Sequence, residues 1–167
     1  MIIGKKIVDK FFYIVKVTEK VMSFLLVALL LMLILLMSMQ IANRYLLKNA
    51  FVWTEELCRY IFIWITFIGA GLALRRSEMP VAHFFLELFP PKLQKIFKII
   101  GLFGVMLFVF ILTKYGINLT LLAMRNNTLT PALQVPFFLV YTIFPIGGIT
   151  MFIFSIACII ELITKKR

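Results

Sequence analysis

The densest polar cluster in the chain is Trp53-Thr54-Glu55-Glu56-Leu57-Cys58-Arg59. On a helix, Glu55 and Glu56 stand four and three residues before Arg59, within reach of side-chain ion pairing. Two carboxylates beside a guanidinium can hold a cation or a polar solute, or can pair among themselves and fix a helix end. Carboxylates in a first turn favour the positive end of the helix dipole, and tryptophan suits the headgroup level of a bilayer. An anchored helix start, including pairing with a partner subunit, explains the group without a substrate; direct contact with an ion or substrate is the alternative.

Three further features bear on chemistry. Lys114 interrupts an apolar run and could line a pathway, but it falls about 27 Å along its helix from Ile96. That places it near an interface, where a lysine snorkels beside Tyr115. Pro145 followed by Gly147-Gly148 is expected to bend the last helix. Broken helices build ion sites in transporters, yet no Asp, Glu, Asn or Gln occurs between Phe137 and Ile160, which favours a packing kink. Gly69-x-x-x-Ala73 and Gly101-x-x-Gly104 offer close helix contact, within the chain or with another protein.

Enzymatic signatures are missing from the sequence. It has one histidine, no Cys or His cluster of metal spacing, no phosphate-cradling glycine loop and no paired intramembrane carboxylates. No catalytic residue, cofactor or metal site is expected. Cys58 and Cys158 lie a hundred residues apart near opposite membrane surfaces, so neither a disulfide nor redox chemistry is expected.

The elements that position these residues follow from composition. Of 167 residues, 63% are hydrophobic and 15% charged, with a mean hydropathy of +1.06. Such a chain needs lipid as its solvent. The net charge of +11 would suit nucleic acid if it formed a patch on a soluble face, but Lys and Arg sit between long apolar runs, which excludes that partner.

A hydrocarbon core of about 30 Å takes about 20 helical residues. Residues 21–42 supply 22 without a charge, too long for a signal-peptide core and followed by no cleavage site. The second apolar run, Tyr60 to Leu74, reaches only about 22 Å, so its helix must start near Thr54 and span 54–74. The third covers 96–124. The fourth covers 136–160, starting at Pro136, a residue suited to a first helical turn. The expected fold is thus all-α, one membrane domain over residues 1–167 with four transmembrane helices and short amphipathic interfacial helices.

Two segments have interfacial character. In residues 1–20, Ile7, Phe11, Ile14, Val15 and Thr18 share helical spacing while lysines fill the other faces, which fits a basic amphipathic helix on membrane lipids or an extension of the first crossing. In residues 81–89, Val81, Phe84, Phe85, Leu88 and Phe89 form a second stripe before Pro90-Pro91. Thirteen Lys and Arg fall on the side of the chain ends and only Arg44, Lys48, Arg59, Lys114 and Arg125 on the other. The positive-inside rule therefore puts both termini in the cytoplasm.

Specific motifs add to this pattern. Trp53-Thr54-Glu55-Glu56-Leu57-Cys58-Arg59-Tyr60, then Trp64 and Gly69-Ala70-Gly71-Leu72-Ala73-Leu74-Arg75-Arg76, resemble the small (Q-type) membrane subunit of tripartite ATP-independent periplasmic (TRAP) transporters. Thr130-Pro131-Ala132-Leu133 with Pro136, Tyr141, Pro145 and Gly147 is similar to the start of that family's last helix, and Asn43-Arg44 fits too. The similar stretches span most of residues 42 to 148. The chain departs from the pattern at Met79-Pro80, where a His-Ile or similar pair often follows the acidic residue, and at Gln134, where glycine is common.

The resemblance implies a bacterial inner-membrane importer of organic acids, of sialic acid or C4-dicarboxylate type. In it a large multi-helix subunit holds the sodium and substrate sites and a periplasmic solute-binding protein delivers the solute. This chain would then be a scaffold, with Trp53, Glu55, Glu56, Arg59, Arg75, Arg76, Gly69, Pro136 and Pro145 as structural or partner-interface residues. The alternative is a self-contained four-helix exporter, but such proteins carry a working glutamate in the first helix and residues 21–42 have none. A disulfide-generating membrane enzyme would need paired cysteines near the outer face, where only Cys58 lies.

Overall fold

A computed structural model describes residues 2–46, 51–76 and 90–164, which form five helices. These are α1 (Ile2–Leu46), α2 (Val52–Arg76), α3 (Pro91–Arg125), α4 (Phe137–Tyr141) and α5 (Ile143–Thr164). With α4 and α5 taken together, four segments are long and apolar enough to cross a membrane. Helices are the natural solution for such runs, because in lipid each backbone N–H and C=O must find its partner within the segment. The amphipathic segment expected at 81–89 lies outside the described residues.

Helix α1 has 45 residues, about 67 Å at 1.5 Å per residue, more than twice a hydrocarbon core. Past Gly4 it contains neither proline nor glycine, so nothing interrupts the hydrogen-bond ladder between the basic segment and the first crossing. The basic segment is therefore an extension of α1 and not a separate helix. Its apolar stripe also has a protein partner: Val15 is fully buried with Phe154 and Ala157 of α5, with Phe11, Phe12 and Ile153 around them.

Helix α3 begins five residues before Ile96. Pro90 is its N-cap and Pro91 its first residue, where a missing N–H leaves no intrahelical bond unmade. Pro136 likewise caps α4 rather than lying inside it. The last crossing is interrupted at Thr142, which is a turn residue between α4 and α5. Pro145 accounts for the position: it has no N–H for the Tyr141 carbonyl, and its ring crowds that carbonyl. The ladder continues on either side through Thr142 N–H to Phe138 O at 3.0 Å and Ile146 N–H to Thr142 O at 3.1 Å.

Helices α2 and α5 form the inside of the bundle. Helix α1 packs on α2, and α3 packs on α4 and α5. The central cluster joins Ile68 and Leu72 of α2 to Ile143 of α5, with Met22, Leu26 and Leu29 of α1 against it. Leu33, Cys58 and Ile61 form a second cluster between α1 and α2.

Close approach comes from glycines other than those singled out by spacing. A methyl at Gly147 would lie 3.2 Å from Phe67 Cβ, one at Gly116 would lie 2.5 Å from Phe144 Cβ, and one at Gly148 would overlap the Thr113 hydroxyl. These three contacts set the register of α3 and α2 against α5. By contrast a methyl at Gly69 would meet only Leu26 at an ordinary 3.9 Å, and Gly101 and Gly104 face open space. Within the chain, Gly69 therefore does not bring two backbones together, because α1 crosses that face through Leu26 instead of its backbone. The outward faces of α1 and α3, with Phe24, Leu31, Leu35, Phe103, Leu107 and Phe110 exposed, suit lipid, which is as apolar as they are.

Candidate functional site

The polar side chains gather at the two ends of the bundle. At the loop end, α3 stops at Arg125 and the chain returns through a compact turn to Pro136. Leu129 pairs with Pro136 as an isolated antiparallel bridge. Within it Thr130 N–H reaches Val135 O at 2.9 Å, Gln134 N–H reaches Thr130 O at 3.1 Å, and Val135 N–H reaches the Thr130 hydroxyl at 3.1 Å. Thr130 is fully buried, and these bonds satisfy its polar groups. Gln134 sits at φ 54°, in the left-handed region where a Cβ is crowded and glycine is at ease. That geometry would suit the glycine that the resemblance leads one to expect at this position.

The turn aims two N–H groups at α2. Those of Ala132 and Leu133 donate to one oxygen of Glu56, at 2.7 and 2.9 Å, while the other oxygen accepts the Tyr60 hydroxyl. Glu56 is 8% exposed, so its charge is held by three donors and not by water. The Tyr60 ring then meets Phe137 edge-on, and Phe137 stacks on Tyr141. Glu56 is in this way the pin that holds the return loop and the start of α4 onto α2.

The expected pairing of Glu55 and Glu56 with Arg59 is corrected. Among the described residues neither carboxylate forms an ion pair with Arg59. Glu56 is turned inward to the loop, where the buried backbone donors would otherwise be left unpaired. Glu55 accepts from Gln40 Nε2 of α1 at 3.0 Å, and Arg59 is exposed. Beside them Thr54 is fully buried and closes the helix start, its hydroxyl donating to Phe51 O at 2.7 Å. Trp53 is 38% exposed, with its ring against Phe51.

At the opposite end, Arg75 makes a two-pronged contact with Glu161 of α5, Nη1 and Nη2 each donating at 2.9 Å to a different oxygen. Arg75 Nε lies 3.7 Å from Glu19 of α1. Arg76 donates from Nε to Glu19 at 3.2 Å and from Nη2 to the Ser23 hydroxyl at 2.9 Å. Two adjacent arginines thus tie the end of α2 to both neighbours. The fork of Arg75 matches a carboxylate edge, and both cations sit where the α2 dipole is negative. Nothing in the sequence marks Glu19 and Glu161, since spacing alone carries no information about partners 56 or 86 positions away. Cys158 approaches the carbonyls of Leu74 and Arg75 at 3.7 and 3.9 Å. Cys58 and Cys158 are both free and buried.

Between the two ends the interior is apolar apart from hydroxyls bonded within their own helices, such as Ser155 to Met151 O at 2.9 Å. Among the described residues no group of three or more His, Cys, Asp or Glu could hold a metal. The register also moves Lys114. Its neighbour Thr113 meets Gly148, and Gly147 meets Phe67. Phe67 lies about 21 Å along α2 from Trp53 and about 12 Å from Arg75. Lys114 is therefore well inside the two ends of the bundle along its axis, on the exposed face of α3, because α3 extends past the arginine end.

This arrangement locks α1, α2 and the last crossing to one another at the two ends, and among the described residues it gathers no reactive centre between them. Comparison with known proteins agrees. Residues 33–165 match the family described as tripartite ATP-independent periplasmic transporters, DctQ component. A C4-dicarboxylate TRAP transporter small permease protein from Rhodobacter capsulatus is 31% identical over 101 residues, 60% of this chain and 44% of the relative. A sialic acid TRAP transporter small permease protein from Vibrio cholerae is 30% identical over 77 residues, 46% of this chain and 44% of the relative. An isethionate TRAP transporter permease protein from Oleidesulfovibrio alaskensis is 27% identical over 98 residues, 59% of this chain and 15% of that longer protein. The chain spans less than half the length of each of these relatives. With a family match that runs from α1 to the end of α5, and with its polar side chains used to fix helices, this chain belongs to the DctQ components of the tripartite ATP-independent periplasmic transporters, which are transporter subunits and not enzymes.

Proposed function

We propose that this chain is the scaffold subunit of a sodium-coupled importer of organic acids, of sialic acid or C4-dicarboxylate type. It supports a large multi-helix subunit that carries the transport site and is supplied by a periplasmic solute-binding protein. The observation that carries the reading is the division of labour along the bundle axis: Glu56, Arg75, Arg76, Glu19 and Glu161 all serve helix-to-helix locks at the ends, and among the described residues the interior between them is apolar apart from hydroxyls bonded within their own helices. A helix frame of this kind resists deformation while another subunit moves its substrate across the bilayer. The relatives with C4-dicarboxylate and sialic acid in their names support the solute class, and the excess of Lys and Arg on the side of the chain ends supports an inner-membrane protein with both termini cytoplasmic. Exposed Arg59 and Trp53 are offered to the partner, while Gly69, Pro136 and Pro145 belong to the frame.

Co-expression with the large membrane subunit encoded nearest to this chain tests the reading. The two should co-purify in mild detergent and, reconstituted with the solute-binding protein, take up labelled sialic acid or C4-dicarboxylate only under a sodium gradient. Transport by this chain alone in liposomes, or full uptake by the large subunit without it, would refute the proposal.

A further inference from the structure

Lys114 points directly away from the bundle. Counted at 100° per residue, it lies opposite Val109, Gly116 and Ala123, the buried positions of α3. It is exposed, and among the described residues no carboxylate lies within ion-pair distance of it. On its face, Ile100, Phe103, Leu107, Leu121 and Leu122 are exposed too, so a lone cation stands in an apolar stripe.

Its depth is fixed twice. Along α2, the Phe67 level is about 21 Å from Trp53 and about 12 Å from Arg75; along the last crossing, Gly148 is about 17 Å from Phe137 and about 20 Å from Glu161. Both counts keep Lys114 at least about 12 Å from either end of a hydrocarbon core of about 30 Å, beyond what a four-carbon stem spans to either headgroup layer. Intramembrane charges at this depth are paired or face a partner.

The occupant can be narrowed by charge. A lipid phosphate lies about half a bilayer away. Among the described residues a second copy of this chain brings no carboxylate to this level, since Glu55, Glu56, Glu19 and Glu161 all sit at the bundle ends and Asp9 lies ten residues before Glu19 on α1, and in matching register it would oppose Lys114 to itself. We infer that the outward face of α3 around Lys114 docks a membrane helix of the large subunit that carries an Asp or Glu at mid-bilayer depth. This rests on the scaffold reading above and assigns it a face.

Two measurements test it on the co-expressed complex. Recovery of the large subunit, normalised to the amount of small subunit inserted in the membrane, should fall about tenfold or more for Lys114→Glu and stay within about twofold for Lys114→Arg. A photo-crosslinking amino acid at Leu107 or Leu121 should capture the large subunit, and one at Leu35 on the outward face of α1 should not. The crosslinks do not depend on how well Lys114→Glu folds. Wild-type recovery with Lys114→Glu, or crosslinks from Leu107 and Leu121 that reach only lipid or a second copy, would overturn the inference while leaving the scaffold reading intact. If the unmodified chain recovers no large subunit, both fall together.

Discussion

Replacing Glu56 by alanine strips three donors of one acceptor. The N–H groups of Ala132 and Leu133 and the Tyr60 hydroxyl, all directed at the carboxylate, are left facing a gap in a site that is almost closed to solvent. A hydrogen bond to a charged group contributes about 1.5–3 kcal/mol, and an unsatisfied buried donor costs about 1–3 kcal/mol. Because the three bonds share one side chain and the loop can relax, their sum is not additive, and a loss of about 3–5 kcal/mol is expected, as for removal of one partner from a buried charged network. Glutamine tests the role of the charge: its single carbonyl can still accept both backbone N–H groups, while its amide donates to the Tyr60 oxygen. Glu56→Gln should therefore lose about 1–2 kcal/mol. In a chain of this length that corresponds to roughly 6–20 °C in Tm for alanine and roughly 2–8 °C for glutamine, read by thermal unfolding in detergent. Hydrogen exchange localises the effect: Ala132 and Leu133 should lose protection in the alanine variant while the middle of α3 keeps it. Equal, small shifts for both variants, or unchanged exchange at residues 132 and 133, would show that the loop holds itself and that Glu56 is not its pin.

Two further predictions use the same detergent assay. Arg75→Lys should cost nearly as much stability as Arg75→Ala, because an ammonium cannot reproduce the two parallel bonds to Glu161; a double-mutant cycle of Arg75 with Glu161 should give a coupling of about 1–2 kcal/mol, and a coupling near zero would refute the contact. Gly116→Ala should destabilise by about 1–3 kcal/mol through overlap with Phe144, whereas Gly104→Ala, facing open space, should be neutral in the isolated chain; the reverse order would refute the register of α3 against α5.

How much of this was legible in the sequence depends on the range of the interaction concerned. The four crossings follow from charge-free runs, each long enough to satisfy its own backbone in lipid, and no tertiary contact is needed to read them. Helix α2 starts just ahead of Glu55, Glu56 and Arg59, as the short apolar run after them requires, but spacing rules see only local partners. The donors at Ala132 and Leu133 lie 76 and 77 residues away and outcompete an exposed guanidinium because they are buried. The clue was the co-occurrence of the Thr-Glu-Glu and Thr-Pro-Ala-Leu motifs, which are now seen to be two sides of one contact. Small-residue spacing pointed to Gly69, Gly101 and Gly104, whereas the actual approaches use Gly116, Gly147 and Gly148, since the pattern does not say which face of a helix meets its neighbour. The level of Lys114 is hidden for the same reason: a count along its own helix does not say where that helix sits, which only the contacts of Thr113 and Gly116 with the last crossing show.

The separation of polar ends from an apolar middle has a mechanical consequence. A helix pair held only by leucine and phenylalanine can rotate or slide in lipid, because the side chains exchange one apolar neighbour for another at little cost. Pinning α1 to α2 through Gln40 and Glu55 at one end and through Glu19, Arg75 and Arg76 at the other removes that freedom, since sliding by one turn would break both sets at once. Glu161 and Glu56 do the same for the last crossing. Helix α3 is different: apart from the return loop, its register rests on Gly116, Gly148 and apolar contact alone. It is also the helix that carries an exposed charge at mid-depth. A frame locked everywhere else and completed on the α3 side by a partner would acquire its last constraint only on assembly, so the isolated chain should hold α3 less firmly than the complex does.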